Sequence, residues 1–129
     1  GTNYTAFSPA TTTSPVVITG LTNGTSYTIY LKAVNAAGDS VASTSVTAIP
    51  RTIPGAPTAV VGTTGNTQVS LTWSAPTSDG GNAITDYKIE YSSNAGSTWS
   101  TFAHSATSAT SATVTGLTNG TSYTFRVSA

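Results

Sequence analysis

The ten residues TGLTNGTSYT stand at positions 19–28 and stand again, unchanged, at 115–124. An internal repeat limits a chain more than composition does, because each copy must bury the same apolar positions in the same way. Shifting the sequence by 96 residues lays ITGLTNGTSYTIYLKA (18–33) over VTGLTNGTSYTFRVSA (114–129). Upstream, after a gap of one residue, GTNYTAF (1–7) lies over GSTWSTF (96–102), with Tyr4 over Trp99 and Phe7 over Phe102. Solenoid repeats run about 20–45 residues, and the period here is about 95 residues. That is the size of a whole domain in an array. The first third of the chain reads as the tail of one copy. The rest reads as a second copy that stops before its last strand.

Strands follow from apolar residues at every second position. In TQVSLTWS, Val69, Leu71 and Trp73 point one way and Ser70, Thr72 and Ser74 the other. In ITDYKIEYS, Tyr87, Ile89 and Tyr91 alternate with Asp86, Lys88 and Glu90. In TSYTFRVSA, Tyr123, Phe125 and Val127 alternate with Thr124, Arg126 and Ser128, and the first copy repeats this with Tyr27, Ile29 and Leu31. Strands that are apolar on one side belong to antiparallel sheets with one wet face. Gly, Pro, Asn and Asp clusters separate them (GTTGN, APTSDGGN, NAG, TNG), and no stretch has the period of an amphipathic helix. The expected class is an all-β sandwich.

Together these segments resemble the fibronectin type III family in its bacterial tandem form. The features that carry the resemblance are PGAPTAV, VSLTWSAP with Trp73, ITDYKIEYS, GLTNGTSYTFRVSA and, in the first copy, AVNAAGDSVAS. It covers essentially the whole chain. It implies an immunoglobulin-like β-sandwich with one partial and one nearly complete copy in tandem. Residues 1–50 would supply strands C′, E, F and G of the first domain, 51–57 a Pro-rich linker, and 58–129 strands A to F of the second. The Tyr of NGTSY, Tyr27 and Tyr123, then resembles a tyrosine corner, its ring in the core and its hydroxyl bonded to backbone a few residues upstream. Leu21 and Leu117 are expected to plug the core at the same corner. Trp73, Leu71, Tyr87, Ile89 and Phe125 complete the expected core. Asn-Gly alone reads as a two-residue hairpin, but the family places the flanking strands in opposite sheets.

Composition closes off several functions. Only 6% of the 129 residues are charged, the net charge is zero, and the four basic residues are scattered. Nucleic-acid binding needs clustered cations to neutralise phosphates, so no such partner is expected. Cys is absent, which removes disulfides, Cys-ligated zinc and a Cys nucleophile. No apolar run is long enough to cross a bilayer, so membrane insertion is not expected. Roughly a third of the residues are Ser or Thr, a neutral polarity that suits a secreted or surface protein.

Candidate chemistry is sparse. His104, the single His, is expected to be an exposed loop residue without partners. Asp86 and Glu90 are expected on one outer strand face, about 13 Å apart. Glycosidase carboxylates stand about 5 Å or about 6.5–9.5 Å apart, so this pair reads with Lys88 as a solvated charge ladder. TSDGGN (77–82) reads as a turn rather than a calcium site, which takes six to eight oxygens. AGDS (37–40) has Ala37 where an integrin-binding loop of the family has Arg, so that function is not carried over. The Asn-x-Thr triplets at Asn3, Asn23 and Asn119 are expected by chance in so Thr-rich a chain. Trp99 and Tyr4 stand as possible ligand contacts, since an exposed aromatic can stack on a sugar ring; packing at a sheet edge is the competing reading, and Tyr30 shares it.

No catalytic, cofactor or metal residue is assigned. The expected function is a non-catalytic extracellular spacer or adhesion module, with the linker IPRTIPGAP (49–57) stiffened by its prolines. The resemblance implies modules that separate catalytic and carbohydrate-binding domains, or that stack in surface adhesins. The alternative is a subunit of an extracellular filament or sheath completed by neighbouring copies. A carbohydrate-binding module stands third. Expected partners are neighbouring domains or copies, extracellular protein or polysaccharide.

Overall fold

A computed structural model describes residues 4–7 and 11–129. The Asn3 triplet and part of the first copy's expected C′ segment lie outside the described residues. The described chain contains ten strands and no helix, so no helix is long and apolar enough to cross a membrane. It divides into two compact units, residues 1–50 and 51–129.

The larger unit carries two antiparallel three-stranded sheets. In the first, β5 (Thr58–Gly65) pairs with β6 (Gln68–Ser74), and β6 with β9 (Ser111–Thr115). In the second, β7 (Lys88–Ser92) lies between β8 (Ser100–Phe102) and β10 (Thr124–Ser128). Period-two alternation sets what each sheet hides: along β6 every second residue is buried. The core is Val69, Leu71, Trp73, Tyr87, Ile89, Val114 and Leu117. Val114 is 0% exposed. Phe125, Tyr123 and Tyr91 pack against this core half-buried. Trp73 meets Tyr87 edge to face at 5.3 Å between centroids, a preferred aromatic geometry. Register and alternation leave the outer face of the β5–β6–β9 sheet to Thr63, Ser70, Thr72, Ser111, Thr113 and their neighbours, with no charge among them.

β7 starts at Lys88, later than the expected strand, because Asp86 turns its carboxylate back onto the backbone: Oδ1 accepts from the Tyr87 N–H at 2.8 Å. The stretch read as a linker is also bonded. Thr52 N–H donates to Gly80 O at 2.8 Å and Gly55 N–H to Ser78 O at 2.9 Å, and Pro57 is buried. Residues 52–55 are thereby part of the larger unit, not a free spacer. Gly80 has φ +72°, and a Cβ there would overlap the Thr52 carbonyl, so only glycine fits.

The smaller unit has two short antiparallel pairs. β1 (Tyr27–Ile29) pairs with β4 (Val46–Ala48), and β2 (Val34–Asn35) with β3 (Gly38–Asp39). Leu21 and Tyr27 are half-buried.

Candidate functional site

The outer face of the β8–β7–β10 sheet holds the larger unit's one charged cluster among the described residues. Strand alternation points Lys88, Glu90 and Arg126 away from the core, and register sets Glu90 opposite Arg126. Glu90 Oε2 accepts from Arg126 Nε at 2.7 Å, and its Oε1 lies 2.7 Å from Lys88 Nζ. Its side chain is 12% exposed. The Arg126 hydrogen bond, then that of Lys88, hold its carboxyl down to about 2. The expected open ladder is thus corrected: Glu90 is closed under two cations.

Asp86 is held differently, by backbone rather than by cations. Besides Tyr87 N–H, its Oδ1 accepts from Thr107 N–H at 3.1 Å. The Thr107 bond, then the Tyr87 bond, hold its carboxyl below the usual carboxylate range. The two acids serve different structures, one a strand start and one a cross-strand pair.

Arg126 continues outward. Its Cζ lies 4.1 Å from the centroid of the Trp99 ring, a cation–π stack. Trp99 is half-buried beneath it. In the smaller unit the equivalent positions hold Tyr4 and Tyr30, whose rings meet edge to face at 4.7 Å. Tyr4 is 52% exposed. The two expected ligand contacts therefore differ: guanidinium covers Trp99, while Tyr4 keeps half its surface open.

His104 corrects another expectation. Its Nε2 lies 2.9 Å from Tyr87 O and its Nδ1 2.9 Å from Ser105 O, with its ring stacked on Phe102. The side chain is 19% exposed. It ties the 103–110 loop to the start of β7. Along the sequence Tyr87 and His104 are 17 residues apart, and no local pattern announces the contact.

Both tyrosine hydroxyls reach their corners. Thr22 N–H donates to the Tyr27 hydroxyl at 3.0 Å, and Thr118 N–H to the Tyr123 hydroxyl at 3.2 Å. AGDS begins the second half of a tight hairpin: Ala37 N–H donates to Asn35 Oδ1 at 2.9 Å, and Asp39 lies 3.6 Å from Lys32 Nζ. A surface depression of the larger unit, about 420 Å³, is lined by residues that include Thr52, Asp79, Asn82, Ile84 and Asp86. Among the described residues, no three His, Cys, Asp or Glu side chains come together to hold a metal ion.

Two packed antiparallel sheets, a buried Trp on the second strand of the unit and a Tyr at the corner before its last described strand define an immunoglobulin-like β-sandwich. Residues 54–129 match the family model of the fibronectin type III domain, and the chain belongs to that family. It is 36% identical over 130 residues to endoglucanase B of Cellulomonas fimi, covering 92% of this chain and 12% of the enzyme. It is 37% identical over 127 residues to chitinase A1 of Niallia circulans, covering 92% of this chain and 17% of that enzyme. Two titin structures are similar in fold. Titin kinase with its flanking domains matches with a TM-score of 0.52 and 36% identity over 58% of this chain and 14% of that one. Titin domains A168-A170 match with a TM-score of 0.56 and 32% identity over 65% and 29%.

Proposed function

We propose that this chain is a non-catalytic extracellular spacer module within a secreted polysaccharide-degrading enzyme. The observation that supports it most directly is the shape of the matches. An endoglucanase and a chitinase each share nearly all of this chain, 92%, yet only 12% and 17% of their own length. A segment common to enzymes with different names is better placed outside their catalytic centres. The acids agree with this, since Glu90 is neutralised by Arg126 and Lys88 and Asp86 is spent on backbone. The purified chain, incubated with soluble cellulose and colloidal chitin, is expected to release no reducing ends. Hydrolysis abolished by Glu90→Gln would overturn the reading.

A further inference from the structure

The ten repeated residues are identical, yet their surroundings differ. In each copy Asn-Gly forms the centre of a type II turn, with Gly24 at φ 79° and Gly120 at φ 78°. Thr25 N–H donates to Thr22 O at 3.3 Å, and Thr121 N–H to Thr118 O at 3.2 Å. An Asn followed by Gly can cyclise on itself, because Gly puts no side chain in the way of the following amide nitrogen.

In the larger unit the Asn119 carboxamide is held at both atoms. Oδ1 accepts from Thr67 N–H at 2.8 Å, and Nδ2 donates to Asn66 Oδ1 at 2.8 Å. Leu117 N–H donates to Thr67 O at 3.0 Å, which laces the corner to the 66–67 turn. In the smaller unit the Asn23 carboxamide has no hydrogen-bond partner among the described residues. The bond there is on the nucleophile instead, from Gly24 N–H to Pro50 O at 2.9 Å.

We propose that Asn23 is a site of spontaneous deamidation, and that the Asn66–Asn119 amide pair withholds the identical Asn119 from the same reaction. The Gly24 nitrogen attacks Cγ of Asn23 and gives its proton to water. The Cγ–Nδ2 bond breaks, and the amide leaves as ammonia after taking a proton from water. The resulting five-membered imide adds one water at either carbonyl and opens to aspartate or isoaspartate. The sum is one water consumed, one ammonia released and one carboxylate gained. At Asn23 the attack requires one bond to open, Gly24 to Pro50. At Asn119 the carboxamide must leave two partners. Isoaspartate lengthens the main chain within the turn and draws Thr22 N–H away from the Tyr27 hydroxyl.

The chain carries its own control, because identical local sequence gives identical intrinsic rates once it is unfolded. Trypsin separates the sites, placing Asn23 in fragment 1–32 and Asn119 in fragment 89–126. The 129-residue protein, made in a host that does not glycosylate Asn, is aged at mildly alkaline pH. Both fragments are then followed by mass spectrometry and isoaspartate assay, with and without guanidinium. The expected result is equal rates in denaturant and, in the native chain, reaction at Asn119 slower than at Asn23 by about two- to tenfold, the worth of one net hydrogen bond. Asn66→Ala should bring Asn119 up to the Asn23 rate and leave Asn23 unchanged. Asn66→Asp, which keeps an acceptor for Nδ2, should hold Asn119 at its original rate. Equal native rates, a faster Asn119, or an Asn66→Asp chain that ages at Asn119 as fast as Asn66→Ala would each overturn the proposal.

Discussion

Trp73 is 6% exposed, and its indole N–H has no acceptor among the described residues. Its contribution is therefore packing. Trp73→Ala should cost about 3–5 kcal/mol, most of what a small domain holds, and calorimetry should find the larger unit's transition gone at physiological temperature. Tyr123→Phe is milder. The hydroxyl accepts from the exposed Thr118 N–H, which water can take over, so the expected loss lies toward the low end of about 0.5–1.5 kcal/mol. The hydroxyl acts here as an acceptor for an exposed N–H, so its loss strands no buried group. Glu90 supplies a pH prediction. Its folded carboxyl titrates at about 2, below an unfolded Glu near 4.5. A depressed value contributes stability above the unfolded value and loses it as pH falls through the folded one. The melting temperature should thus drop between about pH 4.5 and 2, and Glu90→Gln should flatten that part of the profile. A variant with the same acid slope would place the dependence elsewhere.

Among elements, what could be read in advance was whatever repeats locally. Val69, Leu71 and Trp73 announce β6 because a two-residue period is visible within one segment, and Tyr87 with Ile89 announces the buried side of its neighbour. Partners across the sheet were not visible in the same way. Glu90 and Arg126 are 36 residues apart and Asp86 and Thr107 are 21 apart, so spacing along one strand could show neither the cations that close over Glu90 nor the backbone N–H that holds the still exposed Asp86. Once the family's pairing of these strands is granted, alternation alone puts Arg126 beside Glu90, and that signal went unused. The Pro-rich stretch misled differently: proline suggests a stiff spacer, but the unsubstituted N–H groups of Thr52 and Gly55 found carbonyls in the 78–80 loop. Gly80→Ala tests that junction. Adopting a left-handed backbone costs a non-glycine residue about 1–2 kcal/mol, and the new methyl would also collide with Thr52 O. Trypsin should cut after Arg51 faster in this variant than in the parent chain; an unchanged rate would mean the stretch is not held by these bonds.

At the scale of the molecule, the two units differ in how far they hide apolar surface. In the smaller one Val17 is 70% exposed, Leu31 66%, Val34 69%, Val41 91% and Val46 61%, whereas the larger has a closed core. Half-covered apolar surface gives little driving force for folding. A fragment of residues 51–129 is expected to keep a cooperative melt, and one of residues 1–50 to show none, by circular dichroism. A cooperative transition in the short fragment would show that its exposed side chains are not decisive.

The two backbone bonds that dock residues 52–55 on the 78–80 loop have a mechanical meaning. A pull on the chain ahead of Arg51 reaches Thr52–Gly80 and Gly55–Ser78 before it reaches β5. Two backbone hydrogen bonds are a weaker hold than the apolar core behind β5, so under load the junction is expected to give first, letting out a few residues of slack while Trp73 and Ile89 stay packed.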